Sequence, residues 1–398
     1  MAEYKVKWFA SEMQGAPSLG DTSAGALAAL LKAVLVTGFG TLTVNSLVWD
    51  ATENAAKATI SGGHAYKQDS VIEVGGAIPA AYNGEHRVKK VSSTEVWFEL
   101  DGGNPGSAAS GAMSMKVAPL GWTLTHESAD GMVAIYRPTD VSASGNVSLR
   151  VDNTAFSGWT GTSNNYLAKV ALVEDVVDIN TYTLIYEHRW PATKRYSDGR
   201  WDLVGDSQLF YFMPAYGGAN YQFLYCFGYL KSVRPGDRYH AILNTYPTTS
   251  ASDASRIWSY VAGVANSSYG NDWPMFDSAV YRVLARPYTQ LFGITNWATK
   301  GMFTRPGVGL NVPNAPDNGL YMSSDPLLVL ETGNQLRGYL PGLVCPYATI
   351  ASWDRKNFAN LPALSGKILR FIRAGYAESQ YTAGQITMLG FDLTGPWR

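Results

Sequence analysis

The chain has 398 residues, a formal net charge of −1, and 16% charged against 46% hydrophobic residues. Lys plus Arg (31) balances Asp plus Glu (32), which excludes nucleic acid as the main partner, because phosphate contacts need a basic excess. Twelve Trp, 24 Tyr and 14 Phe exclude disorder, and so thin a charged coat implies that part of the surface is buried in an assembly.

At the N-terminus Tyr4, Val6 and Trp8 alternate with Lys5 and Lys7, the pattern of a half-buried strand. Met1 to Lys7 leads into Trp8-Phe9 and turns polar at Ser11-Glu12, which is not the pattern of a signal peptide. Gly15-Ala16-Pro17 and Gly20-Asp21 break the strand. Ala24 to Val36 is the one clear helix, with Thr22 or Ser23 placed to cap it. Ala26, Leu27, Leu30, Leu31, Val34 and Leu35 form its apolar face, and Gly38 and Gly40 stop it. It is too short to span a membrane and Lys32 interrupts it, so no membrane insertion is expected. Residues 1–46 therefore read as a strand and helix packed on a later domain.

From 47 to 117 the pattern is short strands between tight turns. Leu47 to Trp49, Ala58 to Ile60, Ser70 to Val74, Glu85 to Val91, Glu95 to Leu100 and Ala112 to Val117 are the strands; Gly62-Gly63, Gly75-Gly76, Asn83-Gly84 and Gly102-Gly103 separate them. This is a small β-barrel-like module, short of large apolar residues and so expected to lean on a neighbour.

Residues 118–398 read as a larger β-sandwich-like or barrel-like domain with long loops, which makes the whole chain mainly β. Alternation recurs at Val133 to Tyr136, Val147 to Val151, Tyr182 to Tyr186, Gln208 to Met213, Tyr221 to Tyr229 and Ala279 to Leu284. Ala251 to Ala265 is the best helical pattern here, and it is weak. Ser250 to Trp273 and Gly301 to Pro326 read as extended surface loops. The closing Phe391 to Arg398, with Pro396 and Trp397, reads as a docked end.

The residues give no catalytic, cofactor or metal site. His64, His86, His126, His188 and His240 show no ligand spacing with one another or with Cys226 and Cys345, and two cysteines make no disulfide framework. Nucleophile-elbow, dinucleotide and P-loop patterns are absent from the sequence. Glu174, Asp175 and Asp178 are the densest acidic cluster and the candidates for a depolymerase, but their spacing selects no pair, and a solvated turn explains them. Asp50, Glu53 and Asp69 lack a calcium-loop pattern.

Aromatic residues carry the strongest local signal. Tyr221, Phe223, Tyr225, Phe227 and Tyr229 share one face of a strand. That face suits a core, a subunit interface or a ligand platform for a sugar, and the sequence leaves the three open.

Ser11 to Pro17, the small-residue helix and Gly38-Phe39-Gly40 resemble the opening of a family of tailed-bacteriophage virion structural proteins, associated with tail and baseplate. Ala58-Thr59-Ile60, Gly63-His64, Val71 to Gly76 and Tyr82 to Glu85 resemble a β module common in phage tail and fibre proteins. Trp201 to Asp206, Phe210-Tyr211, Phe227-Gly228, Arg234 to Asp237, Leu336 to Leu343 and Phe391 to Arg398 are similar to the same family's central and closing segments. The resemblance implies a non-enzymatic virion component, assembled in the host cytoplasm, contacting copies of itself and neighbouring virion proteins. A receptor- or glycan-binding virion protein, through the aromatic face or the Ser250 to Trp273 loop, and a capsid-decorating protein are the alternatives. No cofactor is implied.

Overall fold

The computed structural model describes residues 5–19, 24–139, 145–155, 167–192, 199–215, 222, 224–245, 282–291, 293–300, 322–323, 327–331, 333, 335–346, 351–361, 364–374 and 387–398. Ala251 to Ala265, the loop Ser250 to Trp273 and nearly all of Gly301 to Pro326 lie outside them.

The chain is mainly β, as its alternation implies: antiparallel sheets, one short helix among the described residues, and no closed barrel. A ten-stranded sheet runs in the order β1 (Lys7–Ala10), β14 (Trp201–Gly205), β15 (Leu209–Pro214), β16 (Tyr225–Tyr229), β18 (Ala241–Asn244), β19 (Arg282–Leu284), β20 (Thr295–Lys300), β22 (Leu327–Glu331), β23 (Gln335–Leu340) and β17 (Lys231–Ser232). A five-stranded sheet holds β13 (Thr183–Pro191), β12 (Leu167–Glu174), β11 (Ser148–Asp152), β10 (Val133–Arg137) and β9 (Thr123–Glu127). A second five-stranded sheet holds β21 (Met322–Ser323), β24 (Leu343–Pro346), β27 (Thr387–Asp392), β26 (Ile368–Ala374) and β25 (Lys356–Ala359).

These three sheets stack in layers, and the period of two along each strand assigns every side chain to one interface. Register pairs Leu203 with Phe212 and Phe212 with Tyr225, so these share a face. That face meets the sheet of β9 to β13, where Trp190 lies 6.1 Å from Phe210, 6.1 Å from Phe212 and 5.8 Å from Tyr225. Asp202, Val204 and Tyr211 point the other way, toward the last sheet, where Tyr211 lies 5.5 Å from Phe391. A middle sheet covered on both faces needs apolar residues at nearly every position, which is why Leu209–Pro214 and Tyr225–Tyr229 are buried throughout. Burying one Phe here contributes ~2–3 kcal/mol of transfer free energy.

The small module is a seven-stranded sheet: β2 (Phe39–Thr43), β8 (Ser114–Val117), β5 (Val71–Gly75), β6 (Gly84–Val91), β7 (Glu95–Phe98), β4 (Ala55–Thr59) and β3 (Ser46–Asp50). The long β6 shifts register between Val88 and Lys90 as it turns from β5 toward β7. The module leans on the layers at several points. Phe39 meets Phe9 at 6.2 Å, Arg87 donates to the Leu393 carbonyl at 3.0 Å, and Lys7 reaches Glu85 at 2.5 Å.

The helix α1 (Ala26–Lys32) continues into a wider π turn, Ala33–Thr37, and ends at Gly38 with φ 71°. Its N-cap is Gly25 in the left-handed region; Thr22 and Ser23, the expected cap residues, lie outside the described ones. Asn153, just past β11, accepts the N–H groups of Leu27 (2.9 Å) and Ala28 (3.4 Å) on its Oδ1. The helix thereby docks on the sheet of β9 to β13, with Leu27, Leu30 and Leu31 buried.

Candidate functional site

The aromatic strand is the first place to look, and its described members lie inside the protein. Tyr225, Phe227 and Tyr229 are wholly buried on the face of β16 that packs toward Trp190 and Trp122. The Tyr229 hydroxyl donates to the Val147 carbonyl and accepts the Val147 N–H, both at 2.9 Å. These three side chains are core, which withdraws them as an interface or ligand face. Tyr221 and Phe223 lie outside the described residues. Cys226, on the opposite face of the strand, is buried, and burial pushes its thiol up to about 12.

The acidic cluster divides. Asp178 closes its own turn, accepting N–H groups from Asn180 (2.7 Å) and Thr181 (2.8 Å). Asp175, with φ 53°, accepts from the Asn146 amide at 2.8 Å. Glu174 departs from the solvated-turn reading: it is buried and pairs with Arg286 at 2.6 Å. The three carboxyl groups therefore hold structure in three separate ways. Asp50 accepts the Trp97 indole N–H at 2.9 Å and Asp69 the Asn357 amide at 3.2 Å, each in its own setting. Among the described residues no three His, Cys, Asp or Glu side chains gather as a metal site.

The charged groups that do converge are buried pairs joining segments far apart in the chain. Asp202 on β14 receives Arg370 of β26 at 2.6 Å, Arg355 at 3.0 Å and the Gln222 amide at 2.7 Å. Arg370 also stacks over Trp8 of β1 at 4.0 Å, and Arg355 reaches Ser11 and Glu12. Burial opposes the Asp202 charge, but Arg370, Arg355 and Gln222 outweigh it and hold the carboxyl below its ordinary range. A second hub sets Arg337, fully buried, against Asp237 at 2.6 Å and Glu331 at 3.1 Å. There burial raises Asp237, and Arg337 and Gln290 overcome it to leave the carboxyl at about 2. Neither hub was singled out by the sequence as a site. Asp202, Asp237 and Arg337 sit in segments that carry the resemblance, but the arginines paired with the two aspartates lie 100 or more residues from them.

A cleft of about 610 Å³ opens between the small module, the start of the chain and its closing segment. Lys5, Lys7, Glu85, Gln208, Trp397 and Arg398 are on its wall. Lys7 bridges it to Glu85 and to the Pro119 carbonyl, both at 2.5 Å. Arg398 binds Asp206 at 3.1 Å and the Tyr229 carbonyl at 2.5 Å. Trp397 lies 5.7 Å from Tyr211, over Gly342, whose φ of 73° and missing Cβ admit the indole. Lys7 and Arg398 thus brace separate segments across this wall.

No protein-family model matches the chain, and no curated protein matches it either.

Proposed function

We propose that this chain is a non-enzymatic structural component of a tailed-bacteriophage virion, in the tail or baseplate region, where it contacts copies of itself and neighbouring virion proteins. One observation carries the reading: the segments that resemble the phage family pack against one another. Ser11 donates its N–H to the Trp201 carbonyl at 3.0 Å, and the Trp201 indole donates to the Pro17 carbonyl at 2.8 Å. Tyr211 donates to Pro341 at 2.8 Å, Asp237 binds Arg337, and Arg398 binds Asp206. Residues quoted for the resemblance thus form one interlocked frame, which is what a load-transmitting part needs and what a catalytic site does not require. Low charge and abundant Tyr and Trp support the same reading, since symmetric assemblies bury large aromatic–polar surfaces.

The chain would be made in the host cytoplasm and incorporated into the particle. Mass spectrometry of purified particles, with a cryo-EM map to place the chain, tests this. Fixed stoichiometry and symmetric density in the tail region are expected. Absence from mature particles would overturn the reading. The glycan-binding alternative loses Tyr225, Phe227 and Tyr229 as its platform, because they are core.

A further inference from the structure

Seven large hydrophobic side chains are exposed among the described residues, and six of them fall into two groups; Ile78, in the small module, stands apart. The first group is the turn between β12 and β13 with the start of β13: Val177 is 69% and Leu184 50% exposed. Asp175 and Asp178 flank Val177 and are exposed, so this half is acidic and apolar. The second group is Val233 after β17 with Tyr288, Leu291 and Ile294 between β19 and β20, Leu291 being 68% exposed. Its charges are opposite. Lys231 and Arg238 are exposed, and Arg234 lies over the Tyr288 ring at 4.6 Å. The acids beneath are already engaged: Asp237 by Arg337 and Gln290, and Glu331 by Arg337 and the Tyr288 N–H at 2.6 Å. This half is basic and apolar, and a buried cluster pins its two loops.

The halves are side by side. Glu174 at the end of β12 pairs with Arg286, two residues before Tyr288. Asp175 accepts from Asn146, whose neighbour Gly145 lies against the Arg238 carbonyl. Adjacent acidic–apolar and basic–apolar halves are what a two-fold contact requires, since each half then meets its complement on the partner. Apolar side chains this exposed, rimmed by charge and beside loops braced by buried ion pairs, mark a contact surface.

We infer that this surface pairs with the same surface of a second copy of the chain, the Asp175–Leu184 half of each copy lying on the half of the other formed by Val233–Arg238 with Tyr288, Leu291 and Ile294. This deepens the self-association in the reading above and rests on it only there, not on the virion assignment. The test is the oligomeric state of the full chain, by analytical ultracentrifugation and native mass spectrometry. The wild type is expected to dimerise, more weakly as salt rises. Asp178→Lys and Arg238→Glu should each weaken the dimer on the order of tenfold or more, by setting like charges opposite each other. Mixing the two variants should restore a 1:1 heterodimer, which a misfolded variant could not form. A wild type monomeric at all concentrations would remove self-association itself. A dimer indifferent to both substitutions, or no heterodimer on mixing, would leave self-association standing and remove this surface. A monomeric wild type whose variants drop out of particles would assign the surface to another virion protein and overturn the inference.

Discussion

Arg370 sets its guanidinium 2.6 Å from the Asp202 carboxylate while its central carbon lies over the Trp8 ring at 4.0 Å, so one side chain of β26 holds both β14 and β1. Removing Arg370 takes away the nearest countercharge of buried Asp202 and leaves it Arg355 and Gln222, so the cost approaches but stays below the ~3–5 kcal/mol of a buried charge left wholly unpaired. Arg370→Met should therefore lower the thermal midpoint strongly. Arg370→Lys should recover little, because it keeps the charge but loses the fork and the stacking plane. Calorimetry of the two variants checks this; midpoints near wild type for both would show the pair to be dispensable.

Acid should destabilise the protein in two separate pH windows. Burial holds His188 and His240 at about 4, below their ordinary 6.5, so the fold favours the neutral rings. Stability is full above pH 6.5 and falls as pH drops through 6.5 to 4, by ~3 kcal/mol per ring at most. Asp237, held at about 2 against an ordinary 3.8, contributes above that ordinary value and is lost only as pH falls toward 2. Thermal midpoints measured from pH 8 to 3 should decline through the upper window, and a variant with both rings replaced by Gln should be flatter there. A flat wild-type profile would contradict the buried neutral histidines.

The helix cap is open to a direct test. Asn153→Ala removes the acceptor for two helix N–H groups and should cost ~1–2 kcal/mol. Asn153→Asp keeps an oxygen there and should cost less, since a carboxylate suits a helix N-terminus. Equal loss in both variants, read by denaturant melts, would show that the cap oxygen is not what matters.

Cys226 should resist alkylation in the native protein. Its thiol is buried and pushed up to about 12, so almost no thiolate is present at pH 8. Peptide mapping after iodoacetamide should find Cys226 unlabelled until denaturant is added. Rapid native labelling would mean that the middle sheet opens readily.

Gly342 should accept no side chain. A Cβ there runs into the Trp397 indole, and its φ of 73° strains any other residue. Gly342→Ala should release Trp397 from Tyr211 and increase proteolysis after Asp392. Unchanged limited proteolysis would show that the closing segment holds by Arg398 and Arg87 without the indole.

Much of the architecture was legible where one face of a strand is wet. β5 and β6, which keep positions open to solvent, match the sequence reading to within a residue. β12 was not read as a strand: Leu167–Glu174 is buried at nearly every position, so it shows no alternation. The same two-sided burial made Tyr225, Phe227 and Tyr229 ambiguous, because a period of two gives a shared face but not what covers it. Only the packing of the sheets, which sets Trp190 against Tyr225 and Trp122 against Phe227, decides that they are core. Asn153 and Glu174 escaped for a related reason. Each acts on a partner more than 100 residues away, so no local spacing could join them.

The N-terminal β1 pairs with β14, nearly two hundred residues later, and Asp202 on β14 meets its arginines only at Arg355 and Arg370. During synthesis, then, the middle sheet emerges from the ribosome with one edge waiting and a buried-to-be carboxylate unneutralised. The layers cannot lock until β26 is out, so folding is set by the last quarter of the chain and its contacts are mostly long-range. Because the Arg337 hub that braces Val233 and Tyr288 also forms late, the contact surface built on it would mature only with the finished chain. A subunit made this way would withhold association from incomplete copies, which is a timing control written into the order of its strands.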